Sequence, residues 1–327
     1  MDEKTLTSQI LDRLDAHHVN PMNDVLFKFI FGKIERKNIT IDFLNAVLEP
    51  SLGHKIKNIV FLPTEQIPQN EEDKLSRLDV ACELDTGEYI DVEVQVINYN
   101  NMKRRTLYYW SQVYLMHLPA GTRYNDLRPT ITINILAFSI LPQDEPHAMY
   151  SIYNIKTQDR LNNDMELHFL ELPKFVKGVK KPIREMTKME RWMAYFANRM
   201  SKNEKEELAM SEAAINGAYD ATDVFLHDKS ERLKYINREM AIMDYHSGME
   251  SAEQRGEARG EKRGEKRGEK RGIAIGEKRG EKRGIAMGEN RYAELVAKLH
   301  SVGRDDEVFK ATVDMTLRKK LFKEFNL

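Results

Sequence analysis

Arg77-Leu78-Asp79-Val80-Ala81-Cys82-Glu83-Leu84, then Asp85-Thr86-Gly87, then Glu88-Tyr89-Ile90-Asp91-Val92-Glu93-Val94-Gln95-Val96-Ile97, is a run that alternates apolar and polar residues on both sides of a short turn. Strict alternation predicts two half-buried strands. Leu78, Val80, Cys82 and Leu84 fall on one face with Ile90, Val92, Val94 and Val96, while Arg77, Asp79, Glu83, Asp91, Glu93 and Gln95 fall on the other. Asp85-Thr86-Gly87 reads as a three-residue hairpin loop, with glycine where a positive φ is easiest. If Leu84 pairs with Glu88, then Cys82 faces Ile90, Val80 faces Val92, Asp79 meets Glu93 and Arg77 meets Gln95. Opposed Cβ atoms lie about 4.5–5.5 Å apart, so two carboxylates there repel unless a cation sits between them. A slip of two residues would bring Asp91 or Gln95 to face Asp79 instead. The plain alternative is a solvated acidic outer face, common on antiparallel sheets.

Outward from the hairpin, the chain supplies Asn23-Asp24-Val25-Leu26-Phe27-Lys28-Phe29-Ile30-Phe31-Gly32 ahead of it and Lys103-Arg104-Arg105-Thr106-Leu107-Tyr108-Tyr109-Trp110-Ser111 behind it. Gly121-Thr122-Arg123-Tyr124 and Pro129-Thr130-Ile131-Thr132-Ile133-Asn134-Ile135-Leu136 follow. An Asp on one strand and Glu-x-Gln on the next resembles the PD-(D/E)XK nuclease core, with Gln95 in place of the usual lysine. The whole order resembles the Rpn family of recombination-promoting nucleases and transposases over roughly the first two thirds of the chain.

That resemblance implies an α/β, restriction-endonuclease-like mixed sheet flanked by helices and a metal-dependent DNA endonuclease linked to recombination or transposition. It implies Asp79, Glu93 and Gln95 as catalytic residues, with Asp79 and Glu93 holding Mg²⁺ or another divalent cation. Asp24, Lys28, Arg77, Arg105 and Tyr109 are supporting candidates. Asp24 with Lys28, and Arg105 with Tyr109, are i,i+4 pairs on shared helix faces. A neutral amide orients water but supplies no charge, so Lys28, Arg77 and Arg105 are the candidates for the missing positive charge. The competing reading is a weakly active or inactive nuclease fold that serves as a DNA-binding or oligomeric interaction module.

The 327 residues carry a net charge of −1 and one cysteine, Cys82, which rules out a disulfide framework or a Cys-rich zinc site. No apolar leader or membrane span is evident, and a cytoplasmic protein is expected. Near-neutral charge gives no global case for nucleic acid. Locally, Lys103–Arg105 and the run Lys174, Lys177, Lys180, Lys181, Arg184, Lys188 and Arg191 could line a DNA groove, or the latter could be a basic solvated face.

Along the chain, 1–20 reads as a polar lead-in helix with an Ile10, Leu11, Leu14 stripe, 21–180 as the nuclease core, and 181–247 as a helical extension. Within the core, Asn23 or Asp24 caps a helix stopped by Gly32, and a second helix from Ile41 ends at Glu49-Pro50. Ile56–Leu62 is an edge strand or connector, Pro63–Lys74 a loop, Met102–Leu118 a helix, and Thr130–Leu141 and Glu166–Leu172 strands.

In 248–290 glycine recurs every fourth residue from Gly256 to Gly288, mostly as Gly-Glu-Lys-Arg. A four-residue step drifts about 40° per repeat on a helix, and each glycine costs about 1 kcal/mol relative to alanine. Alone this arm is expected to be frayed or disordered: a solvated linker, or a segment ordered by a partner helix in a homo-oligomer or held loosely on DNA. Residues 291–327 read as a small helical cap.

Overall fold

The computed structural model describes residues 19–63, 78–116 and 123–327, so the lead-in helix, Arg77, most of the Pro63–Lys74 loop and the Gly121-Thr122 step lie outside the described residues. Six strands form one mixed sheet: β1 (Ile59–Phe61), β2 (Val80–Leu84), β3 (Tyr89–Gln95), β4 (Thr130–Leu136), β5 (His147–Tyr150) and β6 (Met165–Glu171), in the order β1-β2-β3-β4-β6-β5. The β1-β2-β3 ladder is antiparallel, β3, β4 and β6 run parallel, and β5 returns antiparallel to β6. Parallel neighbours require crossovers that cover the sheet. Here they are α3 (Met102–Leu115) between β3 and β4, and the excursion through β5 between β4 and β6.

The hairpin pairs in the register that the alternation predicts, with Cys82 opposite Ile90 and Val80 opposite Val92. Leu84 N–H donates to the Glu88 carbonyl at 2.8 Å, and Gly87 takes a φ of 97° in the turn. Cys82 is a buried free thiol, its pKa pushed up by burial and then by Asp91.

Two expectations fail at this hairpin. The strands are not half-buried: all seven residues of β3 are buried, because α3 packs over the polar face. Leu78 does not join Val80 and Cys82; the chain bends at Asp79, and Leu78 packs with Ala81, Tyr89 and Val113 on the α3 side.

On the opposite face lie α1 (Asp24–Phe31) and α2 (Lys37–Leu52). Asn23 caps α1 by accepting from the Val25 and Leu26 N–H groups, and Gly32 ends it. Helix α2 runs past Glu49-Pro50, contrary to the expected stop. Pro50 sits in its last turn, and Gly53, at φ 72°, closes it by donating to the Glu49 carbonyl. Helices α4 (Leu172–Lys177), α5 (Lys188–Ala197), α6 (Lys202–Ser211) and α7 (Ala213–His227) follow. Phe27, Phe31, Phe43, Trp192 and Phe196 interlock at the centre of this side, with the Phe27 and Phe31 rings stacked at 4.6 Å and Phe31 edge-on to Trp192 at 5.6 Å. Each such pair adds about 0.5–1.5 kcal/mol beyond area burial.

Strand β4 ends at Leu136 rather than Leu141. Beyond it Ala137 N–H bonds the Gln95 carbonyl, and Glu171 accepts from the Ile140 and Leu141 N–H groups, drawing the segment out of the ladder.

The chain divides into units 1–244 and 245–327. Helix α8 (Lys229–Ser301) carries the whole glycine array as continuous helix, which corrects the expectation of a frayed arm. Nine glycines forgo about 9 kcal/mol relative to alanine. However, Tyr235 and Ile242 are buried near the start of α8, and Leu295 and Leu299 near its end, so the exposed middle propagates from anchored turns without a fresh nucleus. In the C-terminal unit, α9 (Asp305–Val313) and α10 (Met315–Glu324) close a small core of Leu295, Leu299, Ala311 and Leu321 with the end of α8. Among the described residues no helix is long and apolar enough to cross a membrane.

Candidate active site

Asp79 and Glu93 are cross-linked through each other's strand. Asp79 N–H donates to Glu93 Oε1 at 3.1 Å, and Val94 N–H donates to Asp79 Oδ2 at 3.0 Å. The bend that removes Asp79 from the ladder is what frees its N–H for this bond. The two carboxylates are therefore held next to each other at the end of the hairpin ladder, and both are buried.

The counter-charges come from two helices on opposite faces of the sheet. Lys28 of α1 places Nζ 3.1 Å from Asp79 Oδ1, and Arg105 of α3 lies 3.6 Å from Glu93 Oε2. Arg105 also sits over the Tyr109 ring at 4.9 Å, the i,i+4 pairing that the sequence suggested. Gln95 Nε2 is 3.4 Å from Glu93 Oε2, a long contact at the edge of the site.

Asp91, which would face Asp79 only if the pairing slipped by two residues, lies outside the expected catalytic set. It lies beside Thr132 of β4 and opposite Ala81 of β2, fully buried, and neither carboxyl oxygen has a partner among the described residues; nor have Thr132 Oγ1 and Arg105 Nε. The hairpin alternation already placed Asp91 on the polar face, but its burial comes from β4 and α3, which local pattern does not reveal. One row along, Asn134 accepts from Thr106 Oγ1 at 3.1 Å and donates to the His168 carbonyl at 3.1 Å, tying α3 to β4 next to Glu93.

Burial raises Asp79 above the ordinary carboxylate range despite the opposing Lys28 charge and the Val94 hydrogen bond. Glu93 is raised well above its usual value by burial, then by the charges of Asp79 and Asp91; Asp91 is raised likewise by burial and Asp79. Three buried carboxyl groups thus influence one another, with Lys28 and Arg105 as their ion-pair partners among the described residues. Burial also raises Tyr109.

Asp24 does not reach Asp79. Its carboxylate is taken by Arg238 of α8, with Nε 2.8 Å from Oδ1. Arg238, far along the chain, carries no sequence signal that would link it to the hairpin.

Among the described residues no three His, Cys, Asp or Glu side chains form a ready metal cluster. The donor set still suits a hard cation that keeps most of its waters: Mg²⁺ is commonly held by one or two carboxylates, and an excess of buried carboxylate over cation favours one.

The basic surfaces differ. In the 174–191 run, Lys174 pairs with Glu171, Lys180 with Glu204, Lys181 with Glu190, Lys188 with Asp42 and Arg191 with Glu212, so most of its charge is neutralised within the fold. Lys103 and Arg104 line a groove of about 540 Å³ with Asn98, Asn100 and Ser139, beyond the ends of β3 and β4.

A second polar chain lies on the opposite side of the sheet. Arg160 and His168 Nε2 contact Glu166 at 2.9 and 3.2 Å, and His168 Nδ1 meets His147 Nε2 at 3.0 Å. Burial alone would raise Glu166, but bonds from His168, Arg160 and Ser51 hold it at about 2. Burial and the neighbouring His168 bring His147 down to about 4.

A mixed sheet with a carboxylate-bearing hairpin, covered by helices on both faces, defines a restriction-endonuclease-like α/β protein. Residues 21–252 match the model of the PD-(D/E)XK nuclease family transposases, and the chain belongs to that family. Comparison with curated proteins and with solved structures finds no match.

Proposed function

We propose that the protein is a divalent-metal-dependent DNA endonuclease acting in the cytoplasm, in recombination or transposition, with Asp79 and Glu93 as the metal-holding pair. The reciprocal backbone bonding of these two buried carboxylates carries the reading, because it fixes them side by side at an energetic cost that a solvated acidic face would not incur. A bound divalent ion such as Mg²⁺ supplies phosphate polarisation and a water of lowered pKa. Lys28 and Arg105 neutralise the carboxylates in the resting site, Lys28 on Asp79 and Arg105 on Glu93. The Gln95 amide orients the attacking water through hydrogen bonds. Lys103 and Arg104 contact flanking phosphates along their groove.

The test is nicking of supercoiled plasmid by the purified full chain with Mg²⁺. The wild type cleaves, and Asp79→Ala and Glu93→Ala each lose at least about 10³-fold, of the order seen when groups that act as a unit are removed. Cleavage unchanged in both variants rejects the site. The second reading, an inactive DNA-binding or self-associating module, is favoured by the ion-paired carboxylates and the neutral Gln95; DNA binding without cleavage under any divalent ion supports it. For that reading the exposed glycine array of α8 is the proposed homo-oligomer contact, tested by sedimentation of the full chain.

A further inference from the structure

We propose that Arg238, from helix α8, supplies the phosphate-facing positive charge that Gln95 cannot; this rests on the nuclease reading above. Gln95 stands where the general PD-(D/E)XK motif has a lysine, and an amide cannot balance the charge that builds on a phosphate under attack. Lys28 and Arg105 are each already engaged with one of the two carboxylates assigned to the cation.

A cleft of about 30 Å³, room for about two waters, borders the hairpin and is lined by Asp24, Val94, Gln95, Tyr99, Arg238 and Ile242 among others. Val94, whose N–H holds Asp79, is part of the cleft wall, so one residue links the cleft to the carboxylate pair. Arg238 is the one basic side chain among its described lining residues. Asp24 grips the guanidinium only through Nε, at 2.8 Å; the two terminal nitrogens have no hydrogen-bond partner among the described residues, and the side chain is 45% exposed. One-sided anchoring of this kind leaves the outer edge of the guanidinium fork open to a phosphate.

The backbone that carries Arg238 is fixed independently of that ion pair. Tyr235 OH accepts from Asn20 N–H at 2.8 Å, Glu239 Oε1 accepts from Asn23 Nδ2 at 2.7 Å, and Tyr235 and Ile242 are buried. Asn23 is also the cap of α1, which bears Asp24 and Lys28, so one junction sets the positions of Lys28 and Arg238 together.

Single-turnover plasmid cleavage by the full chain, with Mg²⁺, tests the assignment in Arg238→Ala, Arg238→Gln, Gln95→Lys and the double variant Gln95→Lys/Arg238→Ala. Removing a single charge-stabilising donor typically costs 10²–10³-fold, so both Arg238 variants should fall about 10²-fold, and a lysine at position 95 should recover at least about tenfold of the loss in the double variant. A merely structural Arg238 would not be rescued by charge at position 95. Binding of a short DNA duplex with Ca²⁺ in place of Mg²⁺ gives a readout independent of turnover: the salt dependence of binding should drop by about one phosphate contact in Arg238→Gln, which retains a polar group toward Asp24. Arg238 variants that cleave at the wild-type rate, a double variant no faster than Arg238→Ala, or an unchanged salt slope overturn the assignment. A wild-type chain that cleaves under no condition overturns the nuclease reading instead, while the salt slope still decides whether Arg238 meets phosphate.

Discussion

The two faces of strand β3 make opposite use of burial. Ile90, Val92 and Val94 enter the main apolar core beneath α1 and α2, whereas Asp91, Glu93 and Gln95 are buried just as thoroughly beneath α3. On the first face burial stabilises the fold by removing apolar area from water. On the second it places carboxyl groups where their charged forms are disfavoured and two of their oxygens lack partners among the described residues. Stability is concentrated on one side of a single strand and chemical tension on the other, and the second side persists because the first holds the sheet in place.

That contrast can be broken on the apolar side most forcefully. Phe31→Ala removes a ring that touches Phe27, Phe43, Trp192 and Phe196 and is expected to destabilise the protein by about 3–5 kcal/mol. Urea titration at neutral pH measures it, and a loss below about 1 kcal/mol would show that the aromatic cluster is not the anchor.

The His147 chain extends the contrast to pH. His147 has a depressed folded pKa of about 4 against an unfolded value of 6.5, so the folded state resists protonation that the unfolded state accepts. Stability is intact above 6.5 and is lost as pH falls from there toward 4. After allowance for its partial exposure the loss is about 2 kcal/mol. Its signature is a His147→Gln protein whose stability falls less than that of the wild type between pH 7.5 and 4.5; parallel curves would dismiss it.

On the site face, Asp91→Val makes the second side of β3 resemble the first. Removing two unpartnered buried oxygens for a β-branched side chain suited to a strand should raise stability by about 1–2 kcal/mol, visible as a higher melting temperature. A lower melting temperature would mean that Asp91 already has a partner in solution.

The smallest effect lies in the glycine array. A Cβ at Gly268 would meet nothing within 4 Å, so Gly268→Ala should add somewhat under about 1 kcal/mol of helix stability and more ellipticity at 222 nm on warming. No change would indicate that a contact along the glycines, rather than helix propensity, governs the arm.

Much of this was legible in the residues. Alternation from Asp79 to Gln95 specifies the hairpin register because a one-residue slip would turn Val80, Cys82, Val92 and Val94 out of the core. The Asn23 cap and the Gly32 stop were readable as local hydrogen-bonding and backbone chemistry. Strand β5 was not: its four residues carry no clear alternation and gain their ladder only from β6. The continuous helix through the glycines was not either, since its ends are secured by side chains that pack outside the repeat.

What the sequence alone determined is therefore the register of the β2-β3 hairpin and the capping of α1, because each depends on residues joined by a short stretch of chain. Only the tertiary structure decided that the polar face is buried, that Asp91 has no partner among the described residues, and that Arg238 lines a cleft with Val94 and Gln95. Each of those outcomes depends on which helix covers which strand, a matter of long-range packing that no periodicity within a segment encodes.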